Sequence, residues 1–278
     1  EERKMKKWNR RQWMVLLMMI SLFLLILVTG GGLAFEEAAG ATDFSRRNLA
    51  PCMEYPFGTD FMGRDMFRRT VTGLSVSIRL GLLTAGVSAV IAFFLGLGAA
   101  VLGKGADALI SGVIDLVMGI PHILLLILIS VACGKGFWGV VIGISLTHWT
   151  SLARLIRGEV LQLKESNYIK IASRLGHGKL KVAFAHMTPH LLPQFITGLV
   201  LMFPHAILHE ASITFLGFGL SPEEPAIGVI LSESMQYLVM GRWWLALFPG
   251  LLLAGVVLLF HFLGQGLLLL LDPEQAHS

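Results

Sequence analysis

The sequence contains little charge and few of the residues that soluble enzymes use for chemistry. Only 14% of its 278 residues are Asp, Glu, Lys or Arg, against about 25% in typical soluble domains. Its two cysteines, Cys52 and Cys133, have a separation that fits neither a zinc site nor a redox pair, so we expect isolated thiols. The low charge excludes an ordinary soluble domain and indicates a chain that lies mostly in a membrane.

Motifs for catalysis are also absent from the sequence. No GxxxxGK[ST] phosphate-binding loop occurs, so we do not expect this chain to bind ATP in the usual way. No serine lies in a GxSxG elbow. Glu210 follows His209, but an HExxH protease motif places its glutamate after the first of two histidines, and here the earlier one is His205. We therefore expect no enzymatic site and no cofactor in this chain.

Six stretches of the sequence are apolar and long enough to span a membrane as helices. They cover residues 13–29, 80–102, 108–132, 137–153, 191–209 and 244–271. The third contains one acidic residue, Asp115, and the last is longer than a bilayer requires, which would let it tilt. The first exceeds the roughly 7–15 apolar residues of a signal peptide, so we expect it to be retained. The sequence predicts an all-α membrane protein with six transmembrane helices.

The distribution of basic residues predicts the orientation. The net charge of +4 does not indicate a nucleic-acid partner, because Lys and Arg lie beside the apolar stretches, as charges at a membrane surface do. With the N-terminus inside, the inner segments hold roughly twice as many Lys and Arg residues as the outer ones. This bias predicts that both termini are cytoplasmic and that membrane lipid surrounds the chain.

Residues 167–193, NYIKIASRLGHGKLKVAFAHMTPHLLP, are too polar to span a membrane. Apolar residues recur at helical spacing on both sides of a glycine, and two prolines are expected to break the backbone where the chain re-enters the membrane. The residues so selected are Tyr168, Ile171, Ala172, Leu175, Gly176, Leu180, Phe184, Pro189 and Pro193. The pattern predicts two short helices in a cytoplasmic elbow, which either lies on the membrane surface or docks a partner.

Ionisable residues within apolar stretches are costly and are therefore functional candidates. The candidates for a translocation path are Asp115, His148, His205, His209 and Glu210. His205 and His209 are four residues apart and project from one helical face, while His122 and His261 also fall in or near apolar stretches. Such histidines either hydrogen-bond between helices or contact a passing metal, and both interpretations stay open. We expect no stably bound metal.

Several segments, in order along the chain, resemble one family. They are FGTDFMGRDMFRRTVTGLSVSIRLG at 57–81, the elbow, ILHEASITFLGFGL at 207–220, WWLALFPG at 243–250 and the final LDP at 271–273. Together they resemble the ABC-importer permeases of the dipeptide, oligopeptide and nickel branch. The outer motif in the first segment consists of Gly58, Thr59, Asp60, Gly63, Arg64 and Asp65. One departure is Lys170, Ile171 and Ala172, where that family usually has Glu-Ala-Ala.

The resemblance implies a type I ABC-importer permease fold in the bacterial cytoplasmic (inner) membrane. It implies four kinds of neighbour: a second homologous permease subunit, two ATP-binding subunits that use ATP and Mg²⁺, an extracellular substrate-binding protein, and lipid. The elbow would couple to an ATP-binding subunit. The predicted organisation is a tail, first helix and outer segment over 1–70, a permease core of five helices over 71–272, and a cytoplasmic tail over 273–278.

The sequence leaves two classes of cargo open. Three strings lean toward nickel or a metal chelate: the His-Trp pair in THWTSLARLIR, the IASRL of the elbow, and the Leu-His pair in ILHEAS. Di- or oligopeptides are the alternative. A channel or secondary transporter would show paired broken helices at corresponding positions in two halves, and the sequence has no such repeat. We therefore expect an ATP-driven importer subunit.

Overall fold

The computed structural model describes residues 10–271, and the regular structure in this range is helical apart from one isolated β-bridge. Five long helices are apolar enough to cross a membrane. They are α1 (Arg10–Ala34), α3 (Met66–Leu102), α6 (Gly136–Glu165), α9 (Thr188–Phe215) and α11 (Trp244–Leu271). The predicted tail at 273–278, residues 1–9 and the last two residues of the LDP string lie outside the described residues.

Shorter elements connect these helices. They are α2 (Glu36–Gly40), a 3₁₀ turn (Phe44–Arg46), α4 (Lys104–Gly119), α5 (His122–Ala132), α7 (Asn167–Arg174), α8 (Lys179–Val182), a π-helix (Ala183–Met187) and α10 (Ile227–Leu238). The 37 residues of α3 correspond to about 55 Å at 1.5 Å per residue, well beyond a hydrocarbon layer of about 30 Å. The predicted all-α membrane architecture is confirmed.

The third predicted span is wrong in one respect, because it is not one straight helix. α4 and α5 meet at an angle of 99°, and they count as a sixth span only if taken as a broken pair. The cause is local: Pro121 has no N–H to continue the helix, and its ring pushes Ile120 into an extended conformation with φ −93° and ψ 137°. After the break, α5 packs mainly against α6.

The core is centred on the contact between α3 and α6. Small residues of α3, including Ala89 and Ala92, are fully buried against Ile144, Ala153 and other buried residues of α6. Gly96 allows the closest approach, since a methyl group there would lie 2.6 Å from the carbonyl oxygen of Ala153. Tight packing through small residues is how membrane helices associate without a hydrophobic drive. α3 and α6 therefore form the rigid centre of the molecule.

Candidate functional site

A cavity of about 640 Å³ lies where the break between α4 and α5 faces α6 and α9. Its wall contains no Asp, Glu, Lys or Arg among the described residues. The lining residues are Val117, Met118, Gly119, Ile120, Pro121, His122, Thr147, His148, Thr150, Ser151, Met202, His205 and His209. The volume falls in the range of about 300–1,000 Å³ that is typical of small-molecule sites.

Three imidazoles meet in the wall of this cavity. The ring centroids of His122 and His209 are 4.4 Å apart, and each lies 4.8 Å from that of His148. One nitrogen from each ring falls within 4.8 Å of the other two. We call these three residues the histidine cluster. It joins α5, α6 and α9, which are separate in sequence, and so it depends on the whole fold.

The predicted path residues divide into two groups. His148 and His209 belong to the histidine cluster, and His205 lines the same cavity with an exposed side chain. Asp115 and Glu210 do not line it. The Asp115 carboxylate is exposed and accepts a hydrogen bond of 2.6 Å from Arg154, whereas Glu210 is fully buried and accepts one of 3.0 Å from Thr214. The Asp115 carboxylate therefore connects α4 to α6, whereas the cited bond of Glu210 lies within α9.

His122 is the member of the cluster that the sequence did not assign to the path. The signal was present, because Pro121 precedes it and proline marks a probable helix break. The break also exposes the N-terminus of α5, where Pro121 is the N-cap residue and no side chain caps the helix. The unpaired N–H groups of a helix start carry partial positive charge. This end of the cavity therefore favours an anionic group.

The elbow has the first predicted short helix, α7, and the predicted hinge, whereas the second predicted helix is not separate, because α8 is continuous with the helix that follows it. α7 ends at Arg174, and Gly176, two residues later, has a φ of +83°, a left-handed conformation that suits glycine. Ala172 was predicted on one apolar face with Tyr168, Ile171 and Leu175, but it is buried together with Ile169. The outward face instead consists of large exposed apolar side chains: Tyr168, Ile171, Leu175, Leu180 and Phe184. Such a contiguous set is typical of a docking surface.

The prolines do not break the chain after the elbow, so that prediction is wrong. α8 continues through the π-helix into α9, with Pro189 in the first turn and Pro193 within the helix. Proline is tolerated in a first turn, where its missing N–H would have no helical partner. The helical hydrogen-bond pattern is instead interrupted at the π-helix, whose turn is wider than that of an α-helix. Such turns are frequent at functional sites. α9 is thus one continuous rod from the elbow to His209.

Side chains hold the two halves of the elbow together. The Tyr168 hydroxyl lies 2.6 Å from Nδ1 of His186, and the His186 ring stacks on that of His177. Lys170, at the position where the resembled family has glutamate, donates a hydrogen bond of 2.8 Å to Glu165. Lys170 therefore pairs within this chain, at the end of α6.

The outer motif folds into a tight hairpin at the start of α3. Thr59 and Asp65 form the β-bridge, and the glycines Gly58 and Gly63 have φ of +72° and +75°. A side chain on Gly63 would collide with the carbonyl group of Asp43. Asp65 then caps α3, since its carboxylate accepts hydrogen bonds from the N–H groups of Phe67 and Arg68. The geometry of the hairpin therefore explains the two glycines, and the cap of α3 explains Asp65.

Asp60 and Arg64 connect this hairpin to α10. The Asp60 carboxylate is buried, with 3% of the residue exposed, and lies 2.6 Å from Nε of Arg64. Arg69 of α3, itself buried, lies 3.4 Å from Asp60 and 2.7 Å from Glu233 of α10. Burial, with the Asp60 and Glu233 carboxylates nearby, raises the pKa of Tyr237. The outer motif thus ties the segment between α1 and α3 to the helix bundle.

Replacement of Asp60 by asparagine is expected to lower the free energy of unfolding by about 1.5–3 kcal/mol, because the buried Arg69 and the partly buried Arg64 each lose a charged partner. Thermal unfolding of the purified chain in detergent would show this as a lower Tm. Glu54→Gln is the matched control, since Glu54 pairs with Arg46 at the surface, where such a pair is worth about 0–1 kcal/mol. Equal shifts for both variants would contradict a structural role for Asp60.

Comparisons with known proteins agree with this architecture. Residues 90–277 match the family described as binding-protein-dependent transport system inner membrane component. The chain is 29% identical over 255 residues to the dipeptide transport system permease protein DppC of Bacillus subtilis, covering 92% of this chain and 80% of that protein. It is 33% identical over 274 residues to a Brucella suis protein provisionally named a peptide transport system permease protein, covering 98% and 90%.

A solved structure shows the same fold. The MetNI methionine ABC transporter in an inward-facing conformation matches with a TM-score of 0.61 and 18% sequence identity. The match covers 74% of this chain and 98% of the chain in that structure. The type I ABC-importer permease fold is therefore confirmed. The chain belongs to the binding-protein-dependent transport system inner membrane components, the permease subunits of ABC importers, whose ATPase activity lies in partner subunits.

Proposed function

We propose that this chain forms half of the translocation path of an ATP-driven importer for short peptides. The observation that carries the proposal is similarity over nearly the whole chain to proteins named as dipeptide or peptide permeases. Those names favour the peptide alternative over nickel as the principal cargo. A second permease subunit would supply the other half of the path, and an extracellular binding protein would deliver the peptide.

The cavity offers a peptide the polar groups that it needs. The uncapped N-terminus of α5 suits a carboxylate. Side chains of Thr150 and Ser151 and the exposed imidazole of His205 add hydrogen-bonding groups in the wall. The remaining lining is largely apolar and would accept varied side chains. This mixture supports a site that binds the peptide backbone and termini and tolerates different sequences.

The elbow supports coupling to ATP hydrolysis on another chain. Its outward apolar face is exposed, and this sequence has no phosphate-binding loop of its own. We infer that two ATP-binding subunits, which use ATP and Mg²⁺, dock on this face and on its counterpart in the second permease. Both termini would then lie in the cytoplasm, and the chain would cross the bacterial cytoplasmic membrane.

The connectivity supports a mechanism for alternating access. The elbow follows α6 directly and runs through the π-helix into α9, so a displacement of the elbow acts on both helices. α6 carries His148 and α9 carries His209, which lie on the cavity wall. Closure of the ATP-binding subunits would therefore move two walls of the cavity together. ATP can shift the equilibrium between inward-open and outward-open states only if the ATP-binding subunits contact the elbow differently in the two states.

Reconstitution of the complete transporter in proteoliposomes tests the cargo. Labelled dipeptides and tripeptides are expected to accumulate only with ATP and the binding protein, and to stimulate ATP hydrolysis. Free nickel ions, offered under the same conditions, are expected to accumulate much less. Nickel uptake without peptide uptake would overturn the peptide proposal. Hydrolysis that responds to no cargo would contradict the importer mechanism proposed here.

A further inference from the structure

We propose that the histidine cluster binds a divalent late transition-metal ion that enters the cavity as a complex with a peptide. The proposal rests on peptide import as the proposed function, and it assigns a second class of cargo to the same path. The ion is transported cargo and not a resident cofactor. His122, His148 and His209 coordinate it while the peptide that carries it remains bound.

The first requirement is a free lone pair on each imidazole. Nδ1 of His209 lies 2.8 Å from the backbone carbonyl oxygen of His205. A carbonyl oxygen only accepts, so Nδ1 carries the proton and Nε2 presents its lone pair. A backbone carbonyl that fixes the tautomer of a histidine is the usual arrangement behind a metal ligand. His209 is therefore prepared for coordination by its own helix.

The other two rings also have nitrogens without partners. Nε2 of His122 and Nε2 of His148 are buried and make no hydrogen bond among the described residues. Buried polar atoms are normally paired, so each such atom calls for an explanation. Hydrogen bonds between the rings do not supply it, since the three imidazoles pack edge to face and no bond between them occurs within residues 10–271. A shared ligand would satisfy both nitrogens at once.

The spacing of the cluster fits an ion after a small movement. Imidazole nitrogens bind zinc-like ions at about 2.0–2.1 Å, which puts tetrahedral ligand atoms about 3.4 Å apart. The three nitrogens here lie within 4.8 Å of one another, so each pair needs to approach by at most about 1.4 Å, within reach of side-chain rotation. Three protein ligands leave a fourth position open toward the cavity. An open position is where a carried peptide would remain bound.

The chemistry of the wall selects both the metal and its carrier. Nitrogen ligands suit nickel, copper, zinc and cobalt, whereas magnesium and calcium prefer oxygen. Within residues 10–271, the cavity wall offers no carboxylate to balance a divalent charge. A peptide supplies that balance with its carboxylate, which the N-terminus of α5 also favours. A metal–peptide complex therefore fits the cavity better than a bare ion.

Titration with Co²⁺ tests the site, because its visible absorption reports nitrogen coordination. The full chain, assembled with its partner subunits in nanodiscs, is expected to bind one Co²⁺ ion. His148→Phe and His209→Phe should each weaken binding by roughly tenfold or more, since each removes one ligand. His261→Phe is the matched control, because His261 lies on α11 outside the cavity lining, and its affinity should be unchanged. Glycylglycine added with the metal is expected to tighten binding.

A second measurement protects the test against variants that fold poorly. X-ray absorption of the Co²⁺-loaded wild-type complex is expected to show a nitrogen-rich shell with imidazole scattering. An oxygen-only shell, or equal affinity in the cluster variants and the control, would overturn the proposal. The titration needs neither ATP nor uptake. Intact peptide import without Co²⁺ binding would refute the metal site alone, and Co²⁺ binding without peptide import would refute the proposed peptide function alone.

Discussion

Replacement of both Leu175 and Leu180 by aspartate is expected to abolish ATP-driven uptake. Both side chains lie on the outward face of the elbow, with 72% and 60% exposed. Burying a leucine against a partner contributes about 1.5–3 kcal/mol, so the double change removes at least about 3 kcal/mol and weakens docking roughly 100-fold. Co-purification of the ATP-binding subunit would report docking, and uptake in proteoliposomes would report coupling.

The exposure of these leucines makes the experiment interpretable. Neither side chain is buried within this chain, so the variant should keep the melting temperature of the wild type. Lys181→Gln provides the control, because Lys181 is exposed on the same short helix α8 but does not belong to the apolar face. Uptake at the wild-type rate in the double aspartate variant would refute the elbow as the docking surface.

The elbow also shows which features a sequence can predict. The glycine hinge and the first short helix, α7, follow from signals within a few residues, namely apolar spacing and a left-handed position at Gly176, whereas the second predicted helix is part of a longer one. α11 spans the predicted residues 244–271, because an uninterrupted apolar stretch leaves little alternative. Which apolar residues face inward was not predictable, since Ala172 and Ile169 are buried by contacts made elsewhere in the fold.

The histidine cluster shows where local reasoning ends. The sequence identified His148 and His209 as costly residues within apolar stretches, but it paired His209 with His205, four residues away. In the structure, the His209 ring packs against that of His122, the residue that follows the break at Pro121. This contact depends on the packing of three helices. Asp60 is similar, because both arginines that it contacts also bind Glu233, which is far away in sequence. Local signals find such residues without identifying their partners.

Replacement of Gly96 by valine is expected to separate α3 from α6 and to prevent stable folding. Even a methyl group at this position would lie 2.6 Å from the carbonyl oxygen of Ala153 and 3.0 Å from Cβ of Ile156. The nearer atom belongs to backbone, so no rotamer change relieves the clash and the helices themselves must move. We expect a loss of about 3 kcal/mol, at the upper end of the usual cost of overpacking. The yield of monodisperse protein and its Tm in detergent measure this loss.

Gly86→Val gives the matched comparison on the same helix, because nothing lies within 4 Å of a methyl group placed there. It should leave the Tm unchanged or slightly raised, since glycine is the weaker helix former. Equal losses for both variants would mean that any side chain in place of glycine disturbs α3, and that close approach at Gly96 is not the cause. A selective loss would establish that α6, which carries His148 and leads into the elbow, is anchored to α3 at this contact. A displacement of the elbow would then move α6 together with α3.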